Sequence, residues 1–126
     1  MKRKILVLED EENIRSFLVL NLKRSGYEVI EAETGEIALE KYHENQDIAV
    51  AVLDVMLPGM SGFEIMEKTK DVPVIFVTAK GELNDKLHGL SIGAEDYIVK
   101  PFEILELIAR INVVLRRAKK MMMSLR

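Results

Sequence analysis

IAVAVL, residues 48–53, is an unbroken apolar run that is followed at once by Asp54. A strand with one face exposed to solvent alternates apolar and polar residues. An unbroken apolar run is instead typical of a parallel strand that helices cover on both faces. The run therefore predicts the centre of a parallel sheet. It also predicts a carboxylate at the carboxyl end of that strand, where open α/β sheets bind their ligands.

Strand-like and helix-like segments alternate on both sides of this run. Apolar runs and period-two patterns predict five strands, and apolar residues at helical spacing predict five helices after them. The predicted strands span residues 4–9, 27–32, 48–53, 72–77 and 96–99, and the helices span 11–25, 34–44, 62–70, 82–92 and 102 onward. This alternation predicts one doubly wound α/β domain of the (βα)5 type. Right-handed crossovers favour a parallel five-stranded sheet in the flavodoxin-like order 2-1-3-4-5.

The composition excludes several classes of protein. The 126 residues suit one domain, and a chain without cysteine has no disulfide, thiolate metal ligand or thiol nucleophile. No apolar stretch approaches the roughly 20 residues of a membrane span, so we expect a cytoplasmic protein without a membrane partner. Residues 116–126 carry five Lys/Arg and no acid, whereas the rest has a net charge of −8. A body this acidic is not expected to bind nucleic acid itself.

Polar side chains follow four of the predicted strands. Glu9 and Asp10 come at the end of the first strand, Asp54 after the third, Thr78 after the fourth and Lys100 after the fifth. These strands are neighbours in the predicted order, so the carboxylates, the hydroxyl and the ammonium are expected to converge at one edge of the sheet. Clustered carboxylates repel one another unless a cation intervenes. Oxygen ligands of this kind suit a hard cation such as Mg²⁺.

Such a pocket has the parts needed for phosphoryl transfer. The Asp54 carboxylate can attack phosphorus as a nucleophile. The metal ion and Lys100 would neutralise charge on the phosphoryl oxygens, and Thr78 would donate a hydrogen bond to one of them. The sequence therefore predicts Asp54 as the acceptor of a phosphoryl group.

Four segments resemble the receiver domains of two-component response regulators, the CheY-like domains. They are ILVLEDEENIR (residues 5–15), VLDVMLPGMSG (52–62), VTAK (77–80) and GAEDYIVKPF (93–102). The resemblance covers residues 2 to about 117. It implies that Asp54 is phosphorylated by a sensor histidine kinase, that Asp10 binds Mg²⁺ directly and that Glu9 acts on the ion through water. The backbone carbonyl of Met56 stands at the remaining protein ligand position.

The same resemblance assigns two roles away from the metal ligands. Thr78 and Tyr97 match the hydroxyl and the aromatic residue that switch between states, and Lys100 matches the lysine that contacts the phosphoryl group. The Lys100-Pro101 bond stands where a cis peptide is usual, and an X-Pro bond lowers the cis penalty to about 0.5–1 kcal/mol. The implied protein is a phospho-acceptor that assists its own phosphorylation and dephosphorylation, rather than an enzyme.

Residues 85–117 are similar to the OmpR/PhoB subfamily of winged-helix transcription factors. That resemblance implies a phosphorylation-dependent homodimer through helix four, strand five and helix five, with Lys86 facing Glu106 and Asp96 facing Arg110 across a two-fold interface. We expect residues 1–118 to form the receiver domain and 119–126 to end helix five and start a linker. DNA would be bound only by a domain outside this chain.

The chain departs from the family pattern at a few positions. The segment between Asp54 and Thr78 is short by a few residues, which trims helix three or the following loop. Ser61 and Glu9 both stand where Asp is common.

Two positions, Met56 and Lys80, flank the acceptor site by family analogy. Neither side chain can orient or activate a water, since a thioether is a weak acceptor and a protonated amine has donors only, so the phosphorylated state is expected to be long-lived.

Two other classes of protein share part of this pattern but lack residues that their chemistry needs. A haloacid-dehalogenase-type hydrolase also uses an aspartate nucleophile but needs a second Asp two residues later, where this chain has Met56. A flavodoxin-type binder of flavin or nucleotide needs a Ser/Thr/Gly-rich phosphate loop after strand one. Here residues 9–12 are Glu-Asp-Glu-Glu, which would repel phosphate.

Overall fold

Five parallel strands alternate with five helices in the computed structural model, which describes residues 2–124 and the side chains of residues 2–119. The elements, in order, are β1 Lys4–Leu8, α1 Glu12–Arg24, β2 Glu28–Ala32, α2 Gly35–Glu44, β3 Ile48–Leu53, α3 Gly62–Lys68, β4 Val74–Thr78, α4 Leu83–Ser91, β5 Asp96–Val99 and α5 Ile104–Ser124. The sheet has the order β2-β1-β3-β4-β5. The predicted fold class and strand order are confirmed.

The central strand β3 separates two apolar cores. Val50 and Val52 face a core that α1 and α5 close, whereas Ala51 and Leu53 face a core that α2 and α3 close. Burying one large apolar side chain contributes about 1.5–3 kcal/mol, so both faces add to stability. This two-sided burial is the reason that β3 lacks the polar alternation of a half-exposed strand.

Several element boundaries differ from the predicted ones by two residues. β4 begins at Val74 because Pro73 has no N–H to donate to the ladder, although its carbonyl accepts from Ala51 N at 2.9 Å. α3 ends at Lys68, where the Thr69 hydroxyl donates to the Ile65 carbonyl at 3.0 Å. α5 begins at Ile104, after a Lys100-Pro101 bond that is cis as predicted.

Gly62 lets the loop after β3 return against its own start. A Cβ at this position would lie 2.2 Å from the carbonyl oxygen of Asp54, so no side chain fits there. The Gly62 N–H donates to the Val55 carbonyl at 3.1 Å. Ser61, one of the departures from the family pattern, caps α3 by accepting from Phe63 N at 3.0 Å. The loop that follows Asp54 is therefore held close to the sheet edge.

None of the helices that the structure describes is long and apolar enough to cross a bilayer. α5 continues through the basic segment as far as Ser124. Of the segment 119–126, which was expected to end helix five and start a linker, residues 119–124 belong to α5, and residues 125 and 126 lie outside the described residues.

Candidate functional site

Three carboxylates meet at the carboxyl edge of the sheet. Glu9 and Asp10 follow β1, and Asp54 follows β3, which is the direct neighbour of β1. Each residue offers a carboxylate oxygen, and these oxygens lie within 4.8 Å of one another. Glu9 and Asp54 are buried, with 2% and 4% of their surface exposed, whereas Asp10 is exposed. The site is therefore a partly enclosed pocket that opens to solvent beside Asp10.

Lys100 enters this pocket from the end of β5. Its Nζ donates to Asp54 Oδ2 at 2.8 Å and also to Glu9 Oε1. Burial disfavours the charged ammonium, but the hydrogen bonds to Asp54 and Glu9 outweigh this cost, and the pKa of Lys100 is raised. The lysine therefore stays a cation between two buried acids.

The backbone orients the two buried carboxylates. Met56 N donates to Asp54 Oδ1 at 2.9 Å, and Glu11 N donates to Glu9 Oε2 at 3.0 Å. Burial raises the pKa of the Glu9 carboxyl, and the hydrogen bonds from Lys100 and Glu11 offset only part of this effect. The charged form of Glu9 is thus short of compensating positive charge in the protein alone, which is the situation a bound divalent cation relieves.

A chain of contacts leads from the pocket towards β5. Thr78, which ends β4, is completely buried, and its Oγ1 accepts from Lys80 N at 3.2 Å. The Lys80 carbonyl in turn accepts a hydrogen bond from the Tyr97 hydroxyl at 2.5 Å. The Tyr97 ring lies against α4, where a Cβ on Gly89 would come within 2.8 Å of it. Thr78 and Tyr97 are therefore linked through a single residue of the β4–α4 loop.

The four residues predicted to form a dimer face lie on α4, β5 and α5. Arg110 donates to Asp96 at 2.6 Å and to Glu106 at 3.0 Å within the same chain. Lys86 lines a surface groove together with Glu106 and Arg110. The structure brings the four residues to one face, and their contacts across a two-fold interface stay a prediction.

Sequence reasoning missed two features beside the pocket. Arg15, within the first quoted motif, binds the backbone of Glu9, and no sequence signal beyond its place on α1 points to that contact. Phe17 has the helical spacing of a core residue, but it is 47% exposed and lines an apolar groove with Ile14 and Phe102 beside Lys100.

Residues 5–112 match the family model of the response regulator receiver domain. The chain belongs to that family. This confirms the predicted family.

Relatives of this receiver domain are transcriptional regulators, as the resemblance to the OmpR/PhoB subfamily implied. A probable transcriptional regulator, ycf27, of Pyropia yezoensis is 49% identical over 98% of this chain and 52% of its own length. The alkaline phosphatase synthesis transcriptional regulatory protein PhoP of Bacillus subtilis is 46% identical over 94% of this chain and 51% of its own length. The chain thus spans about half the length of the curated relatives it matches.

Solved receiver domains share the fold. A response regulator receiver domain protein from Clostridium thermocellum superposes with a TM-score of 0.89 at 31% identity, covering 94% of this chain and 98% of that one. A CheY-like receiver domain protein from Methanospirillum hungatei has a TM-score of 0.88, also at 31% identity, over 95% and 98% of the two chains. The likeness therefore extends over almost the whole receiver domain.

The buried position of Tyr97 predicts an unusual alkaline titration. Burial, with the negative charges of Asp85 and Asp54, raises the pKa of Tyr97 to about 12. Because this pKa lies above the ordinary value of about 10, the hydroxyl contributes stability at neutral pH, and the contribution is lost between about pH 10 and pH 12. When the ultraviolet absorbance of tyrosine phenolate is followed against pH, the titration should include a step near pH 12. Tyr97→Phe should remove this step, and Tyr42→Phe should leave it in place. Loss of the late step in Tyr42→Phe alone would contradict this assignment.

Proposed function

We propose that this receiver domain is a phosphoryl-accepting switch in which Asp54 takes a phosphoryl group from a sensor histidine kinase. The observation that carries the proposal is the Asp54 carboxylate at the end of β3, with the Lys100 ammonium 2.8 Å away and two further carboxylates beside it. A nucleophile, a cation and a set of metal ligands are thereby held in one pocket. These are the parts that phosphoryl transfer requires.

The acidic cluster fits a hard divalent cation such as Mg²⁺. Its donors are oxygens only, two of the three carboxylates are buried, and the pKa of Glu9 is raised by burial. Asp10 and Asp54 would bind the ion directly, Glu9 through water, and the backbone carbonyl of Met56 would complete the protein ligands. A bound Mg²⁺ would supply positive charge that offsets repulsion between Asp54 and an incoming phosphoryl group.

Asp54, Lys100 and Thr78 would each have a separate role in the transfer. A carboxylate oxygen of Asp54 forms the bond to phosphorus while the bond from phosphorus to the kinase histidine breaks, and the electron pair leaves with that histidine. Lys100 neutralises charge on the phosphoryl oxygens, for which its raised pKa keeps it protonated. The Thr78 hydroxyl already accepts from Lys80 N, so its proton is available to donate to a phosphoryl oxygen.

The switch would use the link from Thr78 to Tyr97. If the Thr78 hydroxyl turns to a phosphoryl oxygen, the 78–80 segment moves with it, and the Lys80 carbonyl no longer matches the Tyr97 hydroxyl. Tyr97 lies on β5, at the centre of the α4–β5–α5 face. A change in Tyr97 therefore alters the surface through which the domain would dimerise.

Two surfaces are assigned to partners. The apolar groove of Ile14, Phe17 and Phe102 lies beside Lys100, where a kinase must approach to place its phosphohistidine next to Asp54. The α4–β5–α5 face carries Lys86 and Glu106, whose opposite charges suit an isologous dimer. We infer a cytoplasmic transcription regulator that comprises this receiver domain, residues 1–118, and binds DNA through a separate domain, as the half-length match to transcriptional regulators supports.

Phosphorylation should depend on both Asp54 and a divalent ion. Incubation with acetyl phosphate and Mg²⁺ should raise the intact mass by one phosphoryl group, and omission of Mg²⁺ should prevent the increase because the carboxylates repel the donor. Asp54→Asn should show no increase. Asp47→Asn, which changes an exposed carboxylate before β3 at the opposite edge of the sheet, is the matched control. An equal mass increase in Asp54→Asn would disprove the acceptor assignment.

Exchange of the charges at Lys86 and Glu106 tests the proposed dimer interface. With beryllofluoride and Mg²⁺ as a stable mimic of phosphorylation, the domain should sediment as a dimer. Glu106→Lys should weaken the dimer because it places two cations opposite each other, and Lys86→Glu combined with Glu106→Lys should restore it. Failure of the folded double variant to regain the dimer would rule out this pairing.

The residues around Asp54 predict slow loss of the phosphoryl group. Met56 is 57% exposed, and the Lys80 ammonium lies 3.9 Å from the Asp85 carboxylate on α4. Neither side chain offers an acceptor that orients water, so the lifetime of the phosphorylated protein should be longer than seconds. Met56→Asn/Lys80→Glu should speed decay several-fold in Mg²⁺, followed by intact mass. Lys68→Glu on exposed α3 surface is the charge control. Unchanged decay in the double variant would show that other features set the lifetime.

A further inference from the structure

Arg15 holds the turn that carries two of the three pocket carboxylates. Its guanidinium lies beside the end of β1, with Nη1 donating to the backbone carbonyl of Glu9 at 3.0 Å. The Arg15 side chain is only 13% exposed. Since β1 ends at Leu8, the Glu9 carbonyl lies beyond the paired strand, and Arg15 supplies its partner.

Two acids on the far side keep the guanidinium in place. Arg15 Nε lies 3.4 Å from Glu31 Oε1, and Nη2 lies 4.0 Å from Glu33 Oε2. Arginine serves several acceptors at once because its donors form a rigid planar fork, which the single ammonium of lysine does not provide. The contacts therefore connect α1, the end of β2 and the Glu9 backbone through one side chain.

Asp10 is the pocket residue that most needs this support. Glu9 and Asp54 each accept hydrogen bonds from Lys100 and from a backbone N–H. Within residues 2–119, the Asp10 carboxylate accepts no hydrogen bond. Its direction is thus set by the backbone, and the Glu9–Asp10 peptide is planar, so fixing the Glu9 carbonyl also fixes the direction in which the chain enters Asp10.

We propose that Arg15 is a positioning residue for divalent-cation binding, which acts by fixing the Glu9–Asp10 peptide so that the Asp10 carboxylate stays with those of Glu9 and Asp54. The proposal rests on the proposed function, because it assigns a supporting residue to the same metal site. Groups that orient metal ligands in this way commonly change metal affinity by about 10–100-fold when they are removed.

The sign of the effect separates positioning from simple electrostatics. Arg15 is a cation close to the pocket, so its removal would by Coulomb's law alone make the site more attractive to a second cation. Positioning predicts the reverse, because a free Glu9–Asp10 peptide lets Asp10 leave the cluster. A merely structural role, tying α1 to β2, predicts lower stability with metal affinity unchanged in the folded protein.

Direct measurement of Mn²⁺ binding tests this inference without any phosphorylation assay. Free Mn²⁺, followed by electron paramagnetic resonance at constant ionic strength, should give a Kd about tenfold or more higher for Arg15→Gln than for the wild type. Arg24→Gln, which removes an exposed cation from the same helix, is the control and should leave the Kd close to that of the wild type. Urea unfolding of each variant shows the fraction folded under the binding conditions.

Two further variants make the result decisive. Arg15→Lys keeps the positive charge, but its Kd for Mn²⁺ should be higher than that of the wild type, because lysine lacks the planar fork of donors. This variant replaces Arg15→Gln in the test if Arg15→Gln does not fold. In an Asp10→Asn background, Arg15→Gln should raise the Kd no further, because its effect passes through Asp10. Wild-type affinity in folded Arg15→Gln or Arg15→Lys, or an equal loss in Arg24→Gln, would overturn this inference alone. Absence of Mn²⁺ binding by the wild type would overturn the metal site of the proposed function as well.

Discussion

The Lys100 ammonium, held between the carboxylates of Glu9 and Asp54, is the interaction on which the rest of the site depends. It joins the ends of β1, β3 and β5, which lie at the same edge of the folded sheet although β4 separates β3 from β5. Two buried carboxylates this close together would otherwise repel each other or take up a proton. The Lys100 ammonium offsets this repulsion, and the exposed Asp10 lies on the solvent side of the pocket.

Specific contacts also fix the backbone around the pocket. Gly62 leaves room for the loop after β3 to return against the Asp54 carbonyl, and Arg15 binds the Glu9 carbonyl at the end of β1. Burial of the Glu9 carboxylate costs free energy of desolvation, which its hydrogen bonds offset only in part. The two apolar cores on either face of β3 supply the stability that tolerates this cost.

The same arrangement connects the pocket with a distant surface. Thr78 lies in the pocket, Tyr97 lies under α4, and Lys80 contacts both through its backbone N–H and carbonyl. Gly89 provides the space for the Tyr97 ring, because any Cβ there would collide with it. A short hydrogen-bonded route therefore runs from the Thr78 hydroxyl to the α4–β5–α5 face.

The sequence by itself predicted the strand order, the family and the meeting of Glu9, Asp10 and Asp54 with Lys100, because each follows from the order and pattern of the segments along the chain. The unbroken apolar run of β3 indicates a covered strand, and polar residues after four strands must meet once those strands are parallel neighbours. Only the tertiary structure decided which residues support the site. Arg15 reaches Glu9 and Glu31, Phe17 lies in an exposed groove although its helical spacing is that of a core residue, and Gly89 accommodates Tyr97. These contacts join residues far apart in the chain or depend on the exact placement of a helix on the sheet, and helical or strand periodicity carries no information about either.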